Sequence, residues 1–128
     1  MWEIDAHTAA GPLSLGMTID KAIAILGEEY HTFKRGPEGK DPIYAFNEKA
    51  IHLACSEGVV KIISVFRPRE LFYVGVQLLG RPIQQVIGEL NTNGIDGVEV
   101  DAGYWIDRAG VLLVEVNDVV DGVELYPK

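Results

Sequence analysis

The segment Ser14–Glu28, SLGMTIDKAIAILGE, carries the clearest helix start and end signals in the chain. Its apolar residues recur at the spacing of one helical stripe: Ile19, Ala22, Ile23 and Leu26. We expect Thr18 to cap the start of this helix and Gly27 to end it. The preceding glycines lack the Gly-Lys-Ser/Thr ending of a phosphate-binding P-loop. We therefore interpret the segment as the beginning of a structural unit.

The same pattern returns 60 to 64 residues later, which predicts two copies of one unit, at about 11–68 and 75–128. The second helix is expected to begin at Pro82 and to end at Asn93-Gly94. Three strands are predicted after each helix: 42–47, 50–56 and 59–67 in the first copy, and 102–107, 110–116 and 119–126 in the second. Residues 71–79 are predicted to form an extended link. The predicted fold class is α+β, with two tandem helix-plus-three-stranded antiparallel sheet repeats in a single domain, residues 1–128.

The local motifs resemble those of a known family. Leu15-Gly16-Met17-Thr18, a short helix, Leu26-Gly27 and the aromatic pair Tyr44 and Phe46 are similar to the SmpA/BamE-type module. Two such modules in tandem resemble the β-lactamase inhibitory proteins in architecture. The second copy departs from the motif, since Arg81-Pro82 replaces Met-Thr and no glycine follows Leu90. The resemblance implies a non-catalytic scaffold that binds another protein.

The charge balance indicates which partners such a scaffold would attract. The 128 residues include 11 Lys and Arg against 19 Asp and Glu, a net charge of −8. Residues 69–128 carry four basic and ten acidic side chains, so they contribute −6 of this charge. An acidic field disfavours nucleic acid and anionic membranes and favours a basic protein. Because we find neither a transmembrane run nor a signal-peptide pattern, we predict a cytoplasmic location.

Motifs for catalysis and metal binding are not found in the sequence. The histidines, His7, His31 and His52, fall in different predicted elements, and no Cys-x-x-Cys or His-Glu-x-x-His occurs. Cys55 is the one cysteine, so an internal disulfide is excluded, and we expect it to be a buried apolar residue. No serine has the context of a catalytic nucleophile. We therefore predict a protein that is not an enzyme and that uses no cofactor or metal.

Strand alternation divides the predicted sheet into two faces. The face opposite the helices is small or polar in the first copy, whereas in the second it carries Trp105, Leu112, Val114 and Val116. Such an apolar face is buried either by another part of this chain or by a partner or second copy. We expect acidic residues around it, and we predict a partner-binding site with seven members: Trp105, Leu112, Val114, Asp101, Asp107, Asp118 and Asp121.

These observations favour an immunity or inhibitor protein, bacterial in origin, that neutralises a basic toxin or enzyme domain by occlusion. A homodimer is also possible. A first alternative is a small-ligand-binding or enzymatic domain with a site between the copies. A second alternative is an envelope assembly subunit, which would need a signal sequence or a lipidated cysteine.

Overall fold

The computed structural model describes residues 1–34 and 41–128. In the first part of the chain the elements are β1 (Ile4–Asp5), β2 (Ala9–Ala10), β3 (Leu13–Ser14), α1 (Ile19–Leu26), β4 (His31–Lys34), β5 (Pro42–Phe46), β6 (Ile51–Ser56) and β7 (Val59–Phe66). A single 3₁₀ turn, Asn47–Lys49, lies between β5 and β6. The second part contains β8 (Phe72–Tyr73), β9 (Val76–Gln77), α2 (Ile83–Thr92), β10 (Val98–Val100), β11 (Gly103–Ile106), β12 (Val111–Val116) and β13 (Val119–Leu125).

Eight of these strands form one antiparallel sheet in the order β10-β11-β12-β13-β7-β6-β5-β4. The two halves of the chain meet where β13 pairs with β7, with Glu124 opposite Ser64 and Gly122 opposite Phe66. Because this pairing joins two hairpin arrays edge to edge, only β10 and β4 remain as edges of the described sheet.

The predicted fold class is wrong. Each helix is followed by four strands rather than three, the eight strands share one sheet, and the protein is mainly β. The additional strands, β4 and β10, have four and three residues, all exposed. A strand exposed at the sheet edge needs no long hydrophobic alternation, so it leaves little signal in the sequence. Residues 71–79, predicted as an extended link, instead contain the hairpin β8–β9.

The two helices differ in their caps but share the hydrogen bond that anchors the glycine before each helix. Thr18 caps α1 by accepting a hydrogen bond from the Lys21 backbone N–H, and Gly27 ends the helix in a conformation with φ of 101°. The N–H of Gly16 donates to the Val60 carbonyl at 2.7 Å, and the N–H of Gly80 donates to the Val120 carbonyl at 2.8 Å. Each helix entry is therefore anchored to the strand of its own half that lies at the centre of the sheet.

Both helices pack on the same face of the sheet and form one contiguous core with it. Buried residues of α1 and α2, including Ala22, Leu26, Val86 and Leu90, belong to the same cluster as Leu53 and Leu113 of the sheet. Cys55 is 4% exposed and lies in this cluster, as predicted. We call the opposite side of the sheet the open face. Neither helix of the described chain is long and apolar enough to cross a membrane.

Candidate protein-interaction site

Trp105 lies on the open face, near the edge formed by β10. Its cross-strand neighbours are Val98 on β10 and Leu112 on β12. The Tyr126 ring meets the indole edge-on with 5.7 Å between ring centroids. The indole Nε1–H donates to Oδ1 of Asp107 at 3.3 Å. Trp105 is thus held in place by its neighbours while it remains half-buried.

An apolar surface extends from Trp105 to the edge of the sheet. Val98 is 59% exposed, and Val100 and Val116 are each 41% exposed. Val100 and Val114 lie on either side of Gly103 in the pairing register, which places them on the same face as Trp105. We call this surface the Trp105 patch: Val98, Val100, Trp105, Leu112, Val114 and Val116. Three of these six residues were predicted as binding residues from the sequence.

Two depressions border Trp105. One, of about 300 Å³, is lined by Gly94, Asp96, Gly97, Val98, Asp107 and Arg108 in addition to Trp105. The other, of about 510 Å³, lies between Trp105 and the end of the chain at Pro127 and Lys128. Surface relief of this kind lets a projecting side chain of a partner insert beside an aromatic anchor.

Most of the acidic residues near this edge lie on the other side of the sheet. A depression of about 240 Å³ opens between α2 and the turn that joins β10 to β11. Its apolar residues include Ile83 and Ile87, and its carboxylates are Glu99, Asp101, Glu115 and Asp118. We call it the acidic cleft. No Lys or Arg side chain lines it within the described chain.

The predicted acidic residues therefore do not form one rim. Asp101 and Asp118 line the acidic cleft on the helix side, whereas Asp107 lies beside Trp105 at the opposite end of β11. Asp121 is engaged elsewhere, because its Oδ1 accepts a hydrogen bond from the Arg67 Nε–H at 2.7 Å. Of the seven predicted residues, three apolar ones thus belong to the Trp105 patch and two aspartates line the acidic cleft on the reverse face. The other two aspartates, Asp107 and Asp121, lie apart from each other and from the cleft.

Close backbone contacts fix the shape of this edge. A Cβ atom added to Gly103 would lie 2.0 Å from the Leu113 carbonyl oxygen, and the φ of Gly103 is +152°. A Cβ atom on Gly97 would lie 2.5 Å from the Trp105 carbonyl oxygen. The Gly97 N–H donates to the Tyr104 hydroxyl at 2.8 Å, which holds the segment before β10 against the sheet.

A second group of side chains lies on the open face and was not predicted from the sequence. Phe33 on β4 is 40% exposed, and its ring lies 5.8 Å from the His52 ring. His52 also meets Phe66 edge-on at 4.9 Å. The first half of the open face is therefore not merely small and polar. Without β4 in the predicted sheet, nothing in the sequence placed Phe33 on this face.

Within the described residues, we looked for side chains that could bind a metal ion or act as a nucleophile. No group of three His, Cys, Asp or Glu side chains in residues 1–34 and 41–128 converges as metal ligands would. Burial raises the pKa of the Cys55 thiol to about 11, with a smaller contribution from Asp41, which favours the protonated form at neutral pH.

A depression of about 420 Å³ is lined in part by Trp2 and Arg69, in the first half of the chain. There the guanidinium stacks 4.2 Å from the indole centroid and donates to the Lys49 carbonyl.

Comparisons with family models, with curated proteins and with solved structures find no match to this chain. The resemblance to tandem SmpA/BamE-type modules therefore stays a prediction.

Proposed function

We propose that this protein is a non-catalytic binding protein that neutralises a basic protein, a toxin or enzyme domain, by covering its cationic site. The observation that carries the proposal is the Trp105 patch, an apolar surface at the sheet edge in which Val98, Val100 and Val116 are 41–59% exposed. Exposed apolar surface next to a rigid aromatic residue is typical of protein–protein interfaces.

Charge supports the choice of a basic partner. The second half of the chain carries most of the net negative charge, and the acidic cleft lies at the same sheet edge as the Trp105 patch. A partner of opposite charge would be steered to this edge, and its association rate would fall as salt increases. A cytoplasmic location is part of the proposal, and fractionation of the native host cell tests it.

The alternative of a ligand site between the two halves receives less support. The residues that line the depression near Trp2 and Arg69 all precede Leu71, and the Arg69 guanidinium is already occupied by the Trp2 ring and a backbone carbonyl.

The test measures binding to purified basic proteins, beginning with the products of adjoining genes, at low and high salt. We expect a stoichiometric complex that blocks the partner's activity and associates more slowly at high salt. Trp105→Ala should weaken binding by about 2 kcal/mol or more, roughly 30-fold.

The matched control is Ile25→Ala, an apolar truncation on α1 where the side chain is 43% exposed. This variant should bind as the unmodified protein does. A complex that leaves the partner fully active, or whose affinity is the same with Trp105→Ala as with Ile25→Ala, would contradict the proposal.

A further inference from the structure

β10 is the outermost strand on its side of the eight-stranded sheet. It pairs with β11 on one side only, and no other described strand lies along its outer side. Its three residues, Val98, Glu99 and Val100, are all exposed. Such an edge presents unpaired backbone N–H and C=O groups to which another strand can add.

The two faces of β10 have different chemistry. By register, Val98 and Val100 lie on the open face and continue the apolar surface of Trp105, and Val100, the last residue of the strand, also borders the acidic cleft. Glu99 is opposite Tyr104 in the register and lies on the helix side, where it lines the acidic cleft. An added strand would alternate its side chains between these two environments, because successive residues of a strand point to opposite faces.

We propose that β10 accepts an extended segment of the basic partner as a ninth strand of the sheet, with apolar and Lys or Arg residues in alternation. The apolar side chains contact Val98 and Val100, and the cationic ones reach the carboxylates of the acidic cleft. The aliphatic stem of a Lys or Arg packs against the partly buried Ile87 while its charged end meets Glu99 or Asp101. The basic character of the segment rests on the proposed function.

A second copy of this chain is a poorer occupant of the same edge. Antiparallel pairing of two β10 strands centred on Glu99 would put the two Glu99 carboxylates directly opposite each other, which is destabilising. The acidic clefts of the two copies would also face one another. The charge of the edge therefore disfavours self-pairing and favours a strand of opposite charge.

The other edge of the sheet lacks this combination. β4 carries Lys34 at its end, and a lysine on an edge strand discourages the addition of another strand. Its exposed aromatic residue, Phe33, already lies against His52. The two edges thus provide an internal comparison in one molecule.

The test uses a six-residue peptide that alternates valine and lysine, with both ends blocked, and follows the backbone amides of the full chain by NMR. At saturation we expect amide exchange within Val98–Val100 to slow by at least about tenfold. A valine–glutamate peptide of the same pattern, and a peptide with three valines followed by three lysines, should produce no such protection. Equal protection by the block peptide, or protection at β4 in place of β10, would overturn the proposal.

Charge reversal provides the matched variants. Glu99→Lys should reduce the affinity for the valine–lysine peptide by at least about tenfold. Glu29→Lys makes the same charge change just before β4, at the opposite end of the sheet, and should leave the affinity unchanged. Amide spectra of both variants confirm that the fold is retained. Equal affinities of the two variants would show that Glu99 does not contribute.

The peptide and the whole partner separate this inference from the proposed function. A basic partner that binds through Trp105 while the β10 amides stay unprotected would overturn strand addition and leave the proposed function intact. Peptide protection of β10, without inhibition of any basic partner, would support strand addition and count against the proposed function.

Discussion

Among single residues, Gln77 shows how one side chain can satisfy backbone groups that no neighbouring strand pairs. Its Oε1 accepts hydrogen bonds from the Leu71 and Leu79 N–H groups at 3.1 and 3.0 Å, and its Nε2 donates to the Leu79 carbonyl at 2.8 Å. Gln77→Leu would leave these partly buried backbone groups without partners. We expect the free energy of unfolding to fall by about 2–3 kcal/mol, measured by urea denaturation.

Gln84→Leu provides the control for this prediction. Gln84 lies on an exposed position of α2, so the same chemical change should alter stability by no more than about 0.5 kcal/mol. Equal losses in the two variants would mean that the hydrogen bonds of Gln77 are not the cause.

The reactivity of the Cys55 thiol is a second property that a single residue determines. Its thiol is nearly inaccessible, and burial is the largest contribution that raises its pKa to about 11. Both the small exposed fraction and the small thiolate fraction slow its reaction with a disulfide reagent. At pH 8 we expect labelling of the native protein to be at least about a hundredfold slower than labelling in urea. Similar rates in the two states would show that the strand opens readily at this position.

At the scale of elements, Gly103 fixes the start of β11. The nearest atom to an added Cβ is the Leu113 carbonyl oxygen, which belongs to the neighbouring strand and has little freedom to move. Gly103→Ala should therefore lower the free energy of unfolding by about 3 kcal/mol or more and weaken the β10–β11 hairpin. Gly88→Ala in α2 meets open space with an ordinary φ. It should raise stability by about 0.5–1 kcal/mol, so thermal melts of the two variants should move in opposite directions.

The ion pair between Arg81 and Glu89 fastens the segment before α2 to the second turn of that helix. Two guanidinium N–H groups of Arg81 donate to the two carboxylate oxygens of Glu89. This hydrogen bonding lowers the pKa of Glu89, against a smaller opposing effect of desolvation. A lowered folded-state pKa contributes stability that is present above the unfolded pKa, about 4.3, and that is lost as the pH falls through the folded pKa.

Glu89→Gln tests this contribution. We expect the variant to be less stable than the unmodified protein at pH 7, with the difference shrinking as the pH falls below 4. Urea midpoints measured at several pH values give the comparison. A difference that stays constant across this range would show that the charge of Glu89 is not responsible.

The sequence predicted the elements with strong local signals and missed those that depend on the sheet as a whole. α1 and its caps at Thr18 and Gly27 agree with the prediction, as do the bounds of β6 and β12 within one residue. The edge strands β4 and β10 are too short and too exposed to create a periodic pattern. The pairing of β7 with β13 joins residues about 60 apart, and no local pattern encodes such a contact.

The same division applies to the candidate site: the faces of its strand residues could be predicted, and the positions of its turn residues could not. Alternation correctly placed Trp105, Leu112 and Val114 on the face away from the helices. It could not separate Asp101 and Asp118, which line the acidic cleft, from Asp107 near Trp105, because turn residues have no fixed face. The engagement of Asp121 by Arg67 depends on the pairing of β7 with β13, which the sequence did not specify.

Considering the molecule as one continuous sheet, strands of other molecules can pair with it only at the two edges of the described sheet. The joined halves leave β4 and β10 to face solvent, and β10 combines two exposed valines with a single charge, Glu99. Charged residues on an edge strand oppose edge-to-edge association, and like charges that face each other are destabilising. We therefore expect the unmodified protein to remain monomeric at neutral pH, although a homodimer was one possibility considered from the sequence.

Glu99→Val should reverse this behaviour, because the edge would then present three consecutive valines without a repelling charge. We expect concentration-dependent dimers or larger species in sedimentation velocity experiments, with more β-type amide protection at β10. Glu29→Val removes the same charge near β4 and should stay monomeric, since Lys34 still protects that edge. If both variants self-associate to the same degree, the net charge of the molecule keeps it monomeric. If only the Glu99 variant associates, the position of that one carboxylate on the edge is responsible.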